Sequence, residues 1–160
     1  MKKEELKISY QRYGYNELPT DVKELVERAK DAISRAYAPY SKFRVGAAVR
    51  LENGMIITGN NQENVAYPSG LCAERVALFY ANAEYPDVPV MDLLVMAESG
   101  DTGITDQPVS PCGSCRQVLQ ETETRYEQEM RVILAGKEEV WIFENGSQLL
   151  PLNFTDDFLP

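Results

Sequence analysis

At 160 residues, 44% of them hydrophobic, the chain is long enough to be a single domain with its own core rather than a disulfide-stapled fragment. Sixteen basic side chains against 25 acidic ones leave a net charge of −9, so a polyanionic partner meets net repulsion and nucleic acid is not expected. Histidine is absent, which removes Ser-His-Asp and Cys-His catalysis and leaves Cys, Asp and Glu as side chains for a metal.

The chain opens Met1-Lys2-Lys3-Glu4-Glu5 with no apolar stretch behind it, and no segment approaches the ~20 apolar residues of a membrane span. The expectation is a cytoplasmic, reducing setting with no signal peptide and no membrane partner. Three cysteines are an odd number and cannot all pair internally, so metal binding or chemistry outranks a disulfide framework.

Residues 1–19, with Tyr10, Tyr13 and Tyr15 among charges and no clear period, read as an arm or packed loop ahead of one domain over 20–160. From Asp21, the positions Val22, Leu25, Val26, Ala29, Ala32, Ile33 and Ala36 recur at helical spacing. Asp21 and Glu24 stand where a capping box would place them, and Ala38-Pro39 is the expected stop. Phe43 to Leu51 and Met55 to Gly59 read as strands joined by a turn at Asn53-Gly54. The polar run Asn60-Asn61-Gln62-Glu63-Asn64 follows, and composition alone leaves it equally a solvated turn or a holder of polar groups at a strand end.

Ala73 to Glu84 is apolar around so much of its circumference that a helix buried on most sides is expected. Met91 to Ala97 suits a central strand, and Glu98 to Pro108 reads as a loop. A helix over Cys115 to Tyr126, strands at Arg131 to Ala135 and Val140 to Phe143, and a short apolar tail from Leu149 complete the chain. This layout predicts an α/β three-layer sandwich, with a mixed sheet of about five strands covered by helices.

All three cysteines lie in two stretches, Leu71-Cys72-Ala73-Glu74-Arg75 and Pro111-Cys112-Gly113-Ser114-Cys115. Cys112 and Cys115 are three apart and share a helix face. On its own such a pair leaves a metal grip evenly balanced against the other readings, a redox pair or two core thiols. Cys72 supplies a third thiolate, and three thiolates without a fourth protein ligand describe an open zinc site with a position left for water. Residues two apart in a helix interior point to opposite sides, so Cys72 and Glu74 converge only at a helix start. There the helix dipole and free N–H groups favour thiolate. Three thiolates on Zn²⁺ leave one negative charge, which gives Arg75 and Arg116 a role as nearby cations. C-x-E followed by P-C-x-x-C is the all-cysteine form of a zinc deaminase signature, in which the glutamate carries protons and is not a ligand.

With that signature in place, the chain resembles the small homotetrameric cytidine deaminases. Ala38 through Ala48 (Ala-Pro-Tyr-Ser-Lys-Phe-Arg-Val-Gly-Ala-Ala) is similar to the lead into the family's first long strand. Asn61-Gln62-Glu63-Asn64 is similar to its ribose loop, and Leu150-Pro151-Leu152-Asn153-Phe154 to its C-terminal aromatic motif. The resemblance spans roughly residues 20 to 158. It implies Cys72, Cys112 and Cys115 as zinc ligands, Glu74 as proton shuttle and Arg75 as the cation behind the ligands. It further implies Asn61 and Glu63 on a ribose hydroxyl, Phe43 against the pyrimidine, Phe154 reaching a neighbouring subunit's site, and Tyr67 near the subunit contact. The longer N-terminal arm and the acidic segment from Glu98 to Gln107 depart from the shortest members.

The activity implied is hydrolytic deamination of free cytidine and deoxycytidine for pyrimidine salvage, by a homotetramer with sites at subunit contacts. Water activated at zinc would add to C4 of cytosine while Glu74 moves protons to N3 and to the departing amine. A deaminase of a cytosine-containing nucleoside analogue, of the blasticidin type, shares the signature. A non-catalytic structural zinc or redox-thiol module leaves Glu74, Asn61 and Glu63 without a task, and in a three-cysteine iron–sulfur site the C-x-E spacing has none.

Overall fold

The computed structural model describes residues 1–100, 102–156 and 159. Its elements in order are β1 (Gln11–Gly14), α1 (Thr20–Ile33), β2 (Phe43–Leu51), β3 (Ile56–Asn60), α2 (Ala73–Glu84), β4 (Val90–Ser99), β5 (Gly103–Ile104), α3 (Gly113–Tyr126), β6 (Arg131–Ala135) and β7 (Glu139–Phe143). The strands form one mixed sheet in the order β1-β7-β6-β4-β2-β3, with β5 paired to β4. β4 and β6 run parallel, because α3 carries the chain back between them, and the other pairs are antiparallel.

Alternation along the strands divides the core into two layers. Ala48, Leu94, Met96 and Ile133 face α1, which buries Val22, Leu25, Val26, Ala29 and Ile33 against them. Ala47, Val49, Leu93, Val95, Val132 and Leu134 face the other way, toward Ala73, Ala77 and Leu78 of α2 and Leu119 of α3. The expected α/β three-layer sandwich is therefore present, with α1 alone on one face and both cysteine-bearing helices on the other.

The sheet has seven strands instead of about five. Residues 11–14, read as arm, pair with β7 in the register Gln11↔Ile142 to Gly14↔Glu139. Tyr10 stacks beside them, its ring centroid 5.1 Å from that of Trp141 and 5.0 Å from that of Phe143. The segment read as a loop after β4 turns back as β5, with Glu98 opposite Ile104. Both strands are too short to show a period, and their pairing is set by partners elsewhere in the chain.

Helix α1 differs from expectation at both ends. It starts at Thr20 with Pro19 as N-cap, and no side chain caps it. Asp21 instead accepts from Arg131 Nη2 at 2.8 Å and from Arg50 Nη1 at 3.5 Å. Asp92, buried beneath, accepts from Arg131 Nε at 2.6 Å and Arg50 Nη1 at 3.2 Å. Two guanidiniums thus outcompete one cap, and the hydrogen bond from Arg131 holds the Asp21 carboxyl below its usual range. At its other end α1 stops at Ile33, well before Pro39. The backbone of Tyr37 is taken by the polar run, donating to Asn61 O at 3.0 Å and accepting from Glu63 N at 2.8 Å.

Two strand glycines bring the helices down onto the sheet. A Cβ at Gly46 would stand 2.1 Å from Ala29 O, and one at Gly59 would stand 2.5 Å from Ala77 N and 2.6 Å from Ala73 O. These obstacles are backbone and cannot rotate away. Gly59→Ala is expected to lift the first turns of α2 and cost about 1–3 kcal/mol, as overpacking does. For a chain of this size that is a drop of roughly 2–12 °C in thermal midpoint. An unchanged midpoint in thermal unfolding would refute this contact.

The α2 expectation holds only on its inner side. Ala73, Glu74, Ala77, Leu78 and Ala81 are buried, but Phe79 is 46% and Tyr80 56% exposed. An apolar outer face looks the same in sequence as a buried one. Among the described residues, no helix is long and apolar enough to cross a membrane. Phe158, in the tail beyond Phe154, lies outside the described residues.

Candidate active site

Cys72 is the N-cap of α2 and Cys112 the N-cap of α3, so the two helices open side by side on one face of the sheet. Neither cysteine side chain makes a cap hydrogen bond to its helix. Cys115, one turn into α3, is fully buried. The Sγ atoms of Cys72 and Cys112 are 3.7 Å apart, those of Cys112 and Cys115 3.5 Å, and all three lie within 4.8 Å of one another. With Zn–S bonds of about 2.3 Å, tetrahedral geometry puts ligand sulfurs about 3.8 Å apart, so this donor set fits zinc.

The electrostatics run the same way. The Cys72 thiol is pushed down to about 5. The neighbouring Cys115 thiol is the largest cause, helped by Arg75 and Cys112 and opposed by burial. Cys115 is pushed up by the neighbouring Cys72 thiolate and by burial. A divalent ion held by the three sulfurs would deprotonate them.

Glu74 is the second residue of α2 and only 4% exposed, yet it lines the same pocket as Cys72. Burial raises its carboxyl above the usual range, and the Cys72 thiolate adds to the rise. A carboxyl in such surroundings exchanges protons at less cost than one in water. Arg75 Nη2 lies 3.7 Å from Cys72 Sγ, and its Nε is buried without a partner among the described residues. Arg116 does not share this role. Its Nε donates to Pro111 O at 2.8 Å and its Nη1 to Leu149 O at 2.9 Å, pinning the loop before Cys112 to the tail.

The pocket in front of these groups has a volume of about 680 Å³. Val95 of the central strand, Phe43 and Val45 of β2, and Leu71 supply apolar wall. Asn61, Glu63 and Tyr67 lie at its rim, where Tyr67 is 76% exposed and meets Tyr40 edge-on with ring centroids 6.3 Å apart. The polar run is no solvated turn, since Gln62 bridges on one side to Tyr37 and on the other to Leu71. Asn61 Oδ1 accepts from Val45 N at 2.8 Å, and its Nδ2 donates to Phe43 O at 2.9 Å, fastening the start of β2. Glu63 Oε2 accepts from the amides of Tyr40 at 2.9 Å and Ser41 at 3.2 Å, and its Oε1 from the Ser41 hydroxyl.

Most of the residues singled out in sequence thus come together; Arg116 and Phe154 do not join them. Phe154 is 59% exposed and does not line this pocket; its carbonyl accepts from Gln117 Nε2 at 3.2 Å. Tyr40, Ser41, Val95 and Val109 line the pocket without having been singled out. Tyr40 and Ser41 lie within the stretch 38–48, whereas Val95 and Val109 carry no signal distinguishing a pocket wall from ordinary core.

A family model described as the cytidine and deoxycytidylate deaminase zinc-binding region matches residues 19–127. The cytidine deaminase of Sporosarcina psychrophila is 46% identical over 101 residues, covering 63% of this chain and 69% of the relative. That of Halalkalibacterium halodurans is 44% identical over 97 residues, covering 61% and 68%. In three dimensions, a crystal structure of cytidine deaminase from Burkholderia pseudomallei superposes with a TM-score of 0.71 at 37% identity, covering 82% of this chain and 98% of that one. A Mycobacterium tuberculosis cytidine deaminase does so at 0.63 and 30%, covering 86% and 99%. With a buried carboxylate beside three sulfurs spaced for zinc, the chain belongs to the cytidine and deoxycytidylate deaminase zinc-binding family.

Proposed function

We propose that this protein deaminates free cytidine and deoxycytidine to uridine and deoxyuridine in pyrimidine salvage. The observation that carries the reading is Glu74, buried at the pocket floor two residues from one of three clustered thiols. Cys72, Cys112 and Cys115 hold the zinc, and Arg75 offsets the charge of their thiolates. When bound, zinc supplies a Lewis acid that makes water a nucleophile at neutral pH. Glu74 takes one proton from the water that adds to C4 and delivers it to ring N3; it then takes the remaining proton of the new C4 hydroxyl and passes it to the amine, so that the C4–N bond breaks, ammonia leaves and C4 keeps a carbonyl oxygen. Phe43 lies against the pyrimidine, and Asn61 and Glu63 hydrogen-bond a sugar hydroxyl.

Charge favours a nucleoside over a nucleotide or polynucleotide. Among the described residues lining the pocket, Arg75 is the only cation, and it is engaged by Cys72, while Glu63 and Glu74 are both acidic. A phosphate would find no counter-charge there.

The catalytic unit is residues 20–160 together with the β1 strand of the N-terminal arm, which joins its sheet, in a cytoplasmic homotetramer. Phe79 and Tyr80 on the outer face of α2, with Tyr67 and Phe154 near the rim and tail, are exposed aromatic surface that neighbouring subunits would cover. Phe154 would then reach a neighbour's pocket.

Ammonia release by the zinc-loaded protein, measured with cytidine, deoxycytidine, cytidine monophosphate and single-stranded DNA, is expected for the first two only. No release from either nucleoside would overturn the reading. Light scattering is expected to give four chains per particle, and a fully active monomer would contradict the shared site.

A further inference from the structure

The turn entering β2 is built around one hydroxyl. Ser41 Oγ donates to Glu63 Oε1 and accepts from Phe43 N at 3.0 Å, so it joins the carboxylate at the rim to the backbone of the aromatic wall residue. The adjoining backbone is held in an uncommon conformation. Lys42 has φ 57°, a left-handed value unusual for a side chain of its size, and it is kept there from both sides. Its amide donates to Ala38 O at 3.1 Å, and its carbonyl accepts from Gly100 N at 2.8 Å.

All three bonds to Glu63 come from residues 40 and 41, and together they take most of its acceptor sites on one side. The hydroxyl of Ser41 is also the leading reason that the Glu63 carboxyl lies below its usual range. A carboxylate oriented in this way, ionised and with lone pairs left over, is prepared to accept from one hydroxyl at a defined place.

We propose that Ser41 is a positioning residue for sugar recognition: by holding Glu63 and Phe43 in fixed relation, it sets how strongly the site reads the sugar hydroxyl. This rests on the nucleoside reading above. Ser41 touches neither the thiols nor Glu74, so its effect falls on substrate binding and spares the chemical step.

The experiment compares the unaltered protein, Ser41→Ala and Ser41→Thr, all zinc-loaded, on cytidine, 3′-deoxycytidine and 5′-deoxycytidine. Ser41→Ala is expected to raise KM for cytidine about tenfold, as loss of a hydrogen bond to a charged group does, with kcat within about twofold. Ser41→Thr keeps the hydroxyl and is expected to restore KM. On the analogue lacking the hydroxyl that Glu63 reads, Ser41→Ala and the unaltered protein should have the same KM, and on the other analogue the tenfold gap should persist.

A gap of equal size on all three substrates would overturn the proposal, because a merely structural serine perturbs them alike. An unchanged KM for cytidine, or a fall in kcat without a rise in KM, would overturn it too. These outcomes are distinct from failure of the nucleoside reading, in which the unaltered protein itself releases no ammonia from cytidine.

Discussion

Glu74→Gln is expected to keep its zinc and its fold while losing turnover of cytidine by at least ~10²–10⁴-fold, the range typical of a positioned general acid–base group. Gln matches Glu in size and keeps the contacts of the buried side chain. It gives up a charge that burial already disfavours, since desolvation is the leading cause of the raised Glu74 carboxyl. Loss of an acidic group from the first turn of α2 costs about 0.3–1 kcal/mol in interaction with the helix dipole, and relief of desolvation offsets part of that. The thermal midpoint should therefore move little while kcat collapses. The measurement is kcat per zinc, with metal content determined on the same sample. A zinc-loaded variant that retains even a tenth of the activity would remove Glu74 from the chemistry.

The second large effect is on the metal. Cys72→Ala should leave two sulfurs, Cys112 and Cys115, which cannot complete a three-ligand open site. Zinc is expected to fall from about one per chain to a small fraction of that, and turnover with it. Because Cys72 makes no side-chain cap bond, its removal does not uncap α2, and the sheet and both core layers should persist. Metal binding stabilises only the folded state, so a chelator should lower the thermal midpoint of the unaltered protein and leave that of the variant unmoved. Elemental analysis reads the first outcome and thermal unfolding with and without chelator the second. Full zinc content in Cys72→Ala would refute the three-sulfur centre.

The local logic of the site was legible in the sequence. The two-residue spacing of Cys72 and Glu74 admits only a helix start, and the chain does begin α2 at Ala73 with Cys72 as its cap. The three-residue spacing of Cys112 and Cys115 brings their sulfurs to 3.5 Å across the start of α3, with Cys112 as its extended N-cap and Cys115 in its first turn. The Asn53-Gly54 turn gives a β2–β3 hairpin for the same kind of reason, since the backbone demand is met within a few residues.

What escaped the sequence depends on partners far along the chain. Asp21 has the composition of a helix cap, but Arg131 lies 110 residues away and captures it. The end of α1 looks like a proline stop, yet the backbone of Tyr37 is drawn out of the helix by Asn61 and Glu63. Arg116 carries the charge to serve the thiolates, and the carbonyls of Pro111 and Leu149 occupy it instead. The outer aromatics of α2 show that an apolar circumference does not reveal which faces a single chain can cover.

The sequence by itself determined the spacing of three cysteines and a glutamate at two helix starts, and the strands and helices whose periods run long enough to be read. Only the tertiary structure decided how the sheet grows to seven strands, where the charged groups of α1 and α3 find partners, and how Asn61, Glu63 and Ser41 clamp the entry to β2. Spacing within a turn of helix is dictated by covalent geometry. A hydrogen-bond partner across 20 or 100 residues is decided by which strand ends the packed core brings together, and no local pattern encodes that choice.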